Sequence, residues 1–465
     1  MRRSSPIALV SCYELGRQPV TLAAAAGFLR AAGHEVVAVD LAVESFDNLD
    51  ALSGCRLVAL SVPMHTALHV GVRAAKRIRL VAPQVHLCMF GHYAALNSKH
   101  LLDGIADSVV AGEAEAVLVE LATALQTGRP TAEICGLQRR GHAADPVLRR
   151  LDFAPASRDG LPELERYARL EIAGERRLAA AVEATRGCLH ACRHCPIPPV
   201  YGRRFFVVPA EHVLADVERL VERGARHISF ADPDFLNGPG HVMPLVREMH
   251  RRHPALTFDV TTKISNLLRR RQLLPELATA GCVFVVSAVE SLSEEVLRRL
   301  DKGHVRAGVD EALRLVTAAG LTLRPTWVPF TPWTRLRDYR EMLDWIAARG
   351  LVAHVDVVQY SIRLLVPPGS LLAEDPALLP YLEPLRPDRF YNPWRHPDPA
   401  MDALHTAVDA RVREAAREGE PAATTFDAIR RLAARDDGGN RWTPAGIAPA
   451  LLHAEPPRLT EPWFC

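Results

Sequence analysis

Lysine is nearly missing from this 465-residue chain: only four of its 56 basic residues are lysine (Lys76, Lys99, Lys263, Lys302). With alanine abundant, that bias reads as the base composition of the gene rather than as a ligand surface. A net charge of +2 leaves no large positive field for a nucleic-acid backbone. Long apolar runs are also missing. None approaches the roughly 20 residues of a membrane span, and the cleanest, such as 282–286, read as buried strands. The first six residues lead into a short strand and not into a signal-peptide apolar region. The expectation is a soluble cytoplasmic protein with neither a membrane nor a nucleic-acid partner. No G-x-G-x-x-G occurs, so a dinucleotide site has nothing to rest on.

An apolar content of 48% excludes collagen-like and disordered classes, and nine cysteines are too few for a disulfide scaffold. The length suggests two to four domains at roughly 100–200 residues each. Cys12, Cys55, Cys88, Cys135 and Cys282 stand singly, mostly in apolar surroundings where a reduced thiol packs as a small hydrophobe. Cys465 ends the chain, and the other three cysteines are clustered.

Short apolar runs at 7–11, 35–40, 57–62, 85–90 and 108–110 alternate with helical patterns at 20–32 and 69–81. That alternation predicts a doubly wound parallel α/β sheet over residues 1–127, with ligands bound at the carboxyl ends of its strands. Residues 128–176, mixed in proline, glycine and charge, read as a linker. From 177 the alternation resumes, with strands expected at 179–185, 227–232, 257–263, 282–290, 322–328 and 355–362. Six βα units over 177–370 predict a partial (β/α)6 barrel, whose chemistry sits at the strand C-termini. Residues 371–465 form a small C-terminal extension with one expected helix, 402–418.

After the first strand of that barrel comes Thr185-Arg186-Gly187-Cys188-Leu189-His190-Ala191-Cys192-Arg193-His194-Cys195-Pro196, a C-x3-C-x2-C spacing. Three thiolates on one loop can hold three irons of a cubane and leave the fourth open to a ligand. Zinc is the competing reading, since His190 or His194 could complete a four-ligand set, although no second ligand pair follows. An electron-transfer cluster and incidental buried thiols are the remaining alternatives.

The motif in this context resembles the radical SAM superfamily. The resemblance implies that Cys188, Cys192 and Cys195 ligate a [4Fe–4S] cluster whose open iron chelates S-adenosylmethionine. An electron from an external donor then cleaves the sulfonium, and the resulting deoxyadenosyl radical abstracts a substrate hydrogen. His194 departs from the aromatic residue usual at its place. The resemblance also offers Asp232 and Asp234 as acceptors for the methionine amino group, with helix capping the alternative. It offers Glu290 and Ser291 for the ribose or methionine moiety, again against capping, and Lys263 at the end of the third barrel strand. Gln359, Tyr360 and Arg363 could face substrate or simply pack.

A doubly wound domain ahead of such a barrel resembles the cobalamin-binding class. Gln18 and Pro19 before the first helix, Ser61, Gly91, and Gly112-Glu113 stand at the positions that would meet a corrin. Glycine lets backbone approach a flat ligand closely. D-x-H-x-x-G is absent, leaving His65 as the nearest candidate for the lower face. The blocks at 194–201, 232–241 and 365–370 resemble one subgroup, named for a Cys-Cys-Ala-Glu-Pro or Cys-Sec-Ala-Glu-Pro tail. Because the chain stops at Cys465, the expectation is an in-frame UGA read as a stop.

The function implied is a cobalamin-dependent radical SAM enzyme, with methylation of an unactivated carbon the commonest outcome in the class. Its substrate is expected to be a small molecule or a peptide. A cobalamin-binding or metal-binding module without radical turnover is the alternative.

Overall fold

The computed structural model describes residues 5–434 and 455–461. The first sheet is built from β1 (Ile7–Ser11), β2 (Val36–Asp40), β3 (Leu57–Ser61), β4 (His86–Phe90), β5 (Ser108–Val110) and β6 (Leu137–Arg139). Its order is β2-β1-β3-β4-β5-β6, parallel throughout except for β6. Ile7 and Leu9 pack under helices Val20–Ala31 and Glu115–Thr127, whereas Ala8 and Val10 pack under helix His65–Val81. Burial on both faces is why these strands read as unbroken apolar runs. The chain reverses direction across the sheet between β1 and β3, the crevice at which such sheets bind ligands.

The expected linker does more than connect. Residues 128–176 supply β6 to the first sheet and β7 (Arg169–Ile172) to the second. Leu137, Leu161, Leu164 and Leu170 bury completely or nearly so.

The second sheet contains β8 (Glu175–Val182), β11 (His227–Phe230), β12 (Thr257–Thr261), β13 (Cys282–Glu290) and β14 (Thr322–Trp327), all parallel. A separate hairpin, β9 (Thr185–Gly187) with β10 (Phe205–Val207), brackets the cysteine loop. At the open edge β7 runs antiparallel to β8, and β15 (Arg458–Leu459) runs antiparallel to β7. The result is a half barrel of order β14-β13-β12-β11-β8-β7-β15.

The sixth expected strand, 355–362, is not one. Val352–His354 and Val357–Ser361 wind into tight helical turns, and only the single bridge between Phe330 and Arg363 continues the sheet. The Gln359 carboxamide takes the Trp327 N–H at 2.8 Å, so a side chain closes the edge of β14 where a strand would have paired. Helices Pro399–Glu418 and Ala422–Ala433 pack together and against these turns, burying Val408, Phe426 and Ile429.

Candidate active site

β9 ends at Gly187, and the next residue is Cys188. Its sulfur accepts a hydrogen bond from Asn237 Nδ2 at 3.3 Å. Cys192 Sγ accepts from Lys263 Nζ at 3.0 Å. Burial raises the Cys188 thiol and pushes the Cys195 thiol up to about 12. The loop is fastened on several sides. Arg193 N–H donates to Leu300 O at 2.9 Å, and the Arg193 guanidinium pairs with Asp375 of the C-terminal extension.

The two loop histidines are each held by a carboxylate. His190 Nε2 lies 3.1 Å from Asp234, and His194 Nε2 lies 3.1 Å from Glu290. Among the described residues no group of three or more His, Cys, Asp or Glu side chains converges on a single metal ion. A cubane distributes its thiolates over separate irons and needs no such convergence. Three sulfurs on one pinned loop, two of them met by N–H donors, fit an iron–sulfur cluster better than zinc.

Asp232 and Asp234, expected as acceptors for a cofactor, both accept hydrogen bonds from protein groups, and Asp232 also lines the interdomain cavity. Asp232 accepts from Ala184 N–H at 3.0 Å and from the Thr185 hydroxyl, and burial pushes its carboxyl up to about 7. Asp234 accepts from Thr262 Oγ1 at 2.5 Å and from Asn266 Nδ2 at 2.8 Å, tying His190 to the end of β12. Neither caps a helix. Glu290, at φ +65°, takes Lys302 Nζ at 3.0 Å. Burial opposes its ionisation, but Lys302 and His194 prevail and hold its carboxyl well below the usual range. The Ser291 hydroxyl caps the turn before helix Glu294–Arg299 by accepting from Ser293 N–H at 3.1 Å. Tyr360 is core, and Arg363 pairs with Asp402 over the Trp394 ring.

The two sheets direct their strand C-termini at one another. Between them lies a cavity of about 380 Å3, lined from the first domain by Ser61, Gly91 and Gly112 and from the barrel by Thr185, Gly187 and Asp232. A Cβ on Gly112 (φ +79°) would stand 2.3 Å from Val147 O, and one on Gly91 would stand 3.0 Å from the Val62 backbone. Protein backbone alone therefore requires glycine at both places. Ser61 Oγ shares a hydrogen bond with Thr21 Oγ1 at 2.8 Å.

Gln18 is turned to the linker. It donates to Pro162 O at 2.8 Å and accepts from Arg158 at 3.0 Å, and Pro19 precedes helix Val20–Ala31. His65 is not brought to the cavity. Its Nε2 lies 2.9 Å from Arg389 O, and its ring packs among His69, Tyr93 and Tyr391. Glu113 accepts from Arg186 at 3.0 Å and from the Tyr201 hydroxyl at 2.8 Å, and burial raises its carboxyl.

Arg186 is a residue that the spacing argument passed over. One guanidinium meets Glu113 at 3.0 Å, Glu115 at 2.7 Å and also Glu183, joining the two domains across the cavity wall. Asn237 was likewise missed as a sulfur partner. Its signal was its place in the loop after β11, beside the aspartates.

Residues 182–345 match the family model described as Radical SAM superfamily. The chain is 28% identical over 362 residues to the hopanoid C-3 methylase of Methylococcus capsulatus, covering 76% of this chain and 68% of that one. It is 26% identical over 271 residues to the bacteriochlorophyllide d C-12(1)-methyltransferase of Chlorobaculum tepidum, covering 56% of this chain and 53% of that one. Among solved structures it resembles OxsB, a cobalamin-dependent S-adenosylmethionine radical enzyme with aqua-cobalamin and S-adenosylmethionine bound. The TM-score is 0.73 at 16% identity, over 93% of this chain and 72% of that one. It also resembles TsrM from Kitasatospora setae, a radical S-adenosylmethionine methyltransferase with tryptophan substrate and a SAM analogue bound. There the TM-score is 0.61 at 20% identity, over 74% and 71% of the two chains.

Residues 182–345 are thus a radical SAM domain, set in the two-domain architecture of those enzymes. That domain implies a [4Fe–4S] cluster and S-adenosylmethionine. The tail-named subgroup is not reached by these matches, and Cys465 lies outside the described residues.

Proposed function

We propose that the protein is a cobalamin-dependent radical SAM methyltransferase acting on an unactivated carbon of a small molecule or peptide, in the cytoplasm and with an external electron donor. The observation that carries this reading is the shared cavity. The ligand-binding crevice of the first sheet and the flanks of the cysteine loop, Gly187, Pro196 and Ile197, line the same space, so groups held by either domain reach one cavity. Among the described residues no helix is long and apolar enough to cross a membrane.

When bound, the cluster supplies the electron that cleaves S-adenosylmethionine, and cobalamin supplies a transferable methyl group. The protein's own contribution is positioning. Cys188, Cys192 and Cys195 are the cluster ligands in this reading, and Asn237 and Lys263 orient two of their sulfurs. Glu290 and Lys302 brace His194, the Arg186 network locks the domains together, and the apolar walls exclude water. The blocks at 194–201, 232–241 and 365–370 support placing the chain in the Cys-Cys-Ala-Glu-Pro or Cys-Sec-Ala-Glu-Pro subgroup.

Anaerobic reconstitution with iron, sulfide and hydroxocobalamin, followed by S-adenosylmethionine and a reductant, tests the proposal. The expected results are release of 5′-deoxyadenosine and retention of corrin absorption after desalting. Protein that binds both groups yet forms no 5′-deoxyadenosine would be a binding module. Loss of corrin alone would remove cobalamin from the reading. Cys192→Ala should lose cluster absorbance and product together.

A further inference from the structure

The interdomain cavity has largely apolar walls, among them Leu15, Met64, Phe90, Ile197 and Phe230. Most of the charged groups that reach it already have partners. Glu115 and Glu183 hold Arg186, and Asp232 holds the Ala184 N–H. Glu14 caps helix Val20–Ala31, taking Val20 N–H at 2.9 Å and Thr21 N–H at 3.3 Å.

His92 Nε2 and Glu115 Oε2 in this lining are buried without a hydrogen-bond partner, and Arg17 adds a cation to them. Arg17 lines the same cavity, and its Nε is buried with no hydrogen-bond partner. Burial lowers the basicity of its guanidinium, and only the through-space fields of Asp259, Glu14 and Tyr13 oppose that. Asp259 is itself engaged, by His227 at 2.9 Å and by Ser229 at 3.0 Å.

The loop that carries Arg17 is held in place. Arg17 N–H donates to Glu14 O at 3.0 Å, and Gly16 O accepts from Ala168 N–H at 2.8 Å. Behind it stands Glu461, just beyond β15. Its carboxylate accepts from the Tyr13 hydroxyl at 3.1 Å, and its side chain occupies the space where a Cβ on Gly16 (φ +64°) would fall. Arg17 is half-buried, and a buried guanidinium N–H without an acceptor is unfavourable unless a ligand supplies one. Its planar fork matches a carboxylate through two parallel bonds.

We propose that Arg17 anchors the carboxylate of an otherwise apolar substrate in this cavity. This rests on the reading of the cavity as the reaction site, and it adds the substrate's chemical class.

The test is isothermal titration calorimetry of the full chain with benzoate and with benzamide, its neutral counterpart, alongside a hydroxocobalamin titration followed by absorbance. Benzoate should bind about tenfold or more tighter than benzamide, and Arg17→Gln should abolish that preference while leaving benzamide and hydroxocobalamin binding as they were. Arg17→Lys, which keeps the charge without the fork, should retain part of the preference and checks that the loop still folds. Equal binding of the two probes, no benzoate binding, or a preference that survives in Arg17→Gln overturns the proposal. Weakened hydroxocobalamin binding in Arg17→Gln also overturns it, by assigning the arginine to the corrin's phosphodiester. Production of 5′-deoxyadenosine by the unaltered enzyme decides the broader reading separately, since probe binding does not depend on turnover.

Discussion

Lys263 Nζ lies 3.0 Å from Cys192 Sγ, so a buried ammonium at the end of β12 donates to one of the three clustered sulfurs. Hydrogen bonds and positive charge at a cluster sulfur favour the more negative, reduced state. Lys263→Met should therefore lower the cluster's reduction potential and slow 5′-deoxyadenosine formation. A redox titration followed by electron paramagnetic resonance reads the first effect directly. An unchanged potential would mean that the lysine only supports the loop.

Arg186 serves three carboxylates, and no other cation among the described residues pairs with Glu113 or Glu115. Arg186→Gln leaves buried negative charge on both sides of the domain interface. Breaking such a network by removing one partner costs on the order of 3–5 kcal/mol. Arg186→Lys should recover little, because an ammonium lacks the fork that reaches several acceptors at once. Urea denaturation of the two variants beside the unaltered chain measures both losses.

Glu14 and Asp232 are both pushed up to about 7 by burial. Unfolded carboxyls titrate near pH 4, so between roughly pH 4 and 7 the folded chain holds protons that the unfolded chain has released. The stability linked to these groups is full at the acid end and is lost as pH rises through the folded value. Glu14→Gln should flatten that fall. The check is the difference in unfolding free energy between variant and unaltered chain at about pH 5.5 and about pH 7.5. An equal difference at both would show that Glu14 titrates normally.

What could be read from the chain alone follows periodicity. β13 came out at its observed bounds because nine residues of uninterrupted strand pattern have few other readings. The run at 355–362 has the same apolar look, but Gln359 takes the backbone partner that a strand needed, and no periodicity reveals that. β7 and the edge strand β15 were illegible, being short and in charged or proline-rich surroundings. At the site, the clustering of the three cysteines is legible because their spacing is local. The partners of Asp232, Asp234 and His65 are set by tertiary contact, which turned all three toward protein groups.

Glu290 and Lys302 give the strictest test of how the site is braced. They form a pair at 3.0 Å with both side chains buried, and Glu290 stands at φ +65°. Burial alone would neutralise either group, so each stays ionised because the other is present. Removing only one therefore strands a charge: Glu290→Gln and Lys302→Met should each cost on the order of 3–5 kcal/mol. The double variant strands none. Its loss should fall well short of the sum, with a coupling of roughly 0.5–3 kcal/mol in a double-mutant cycle. Additive losses would mean that the two side chains act independently and that His194 is held by something other than this pair.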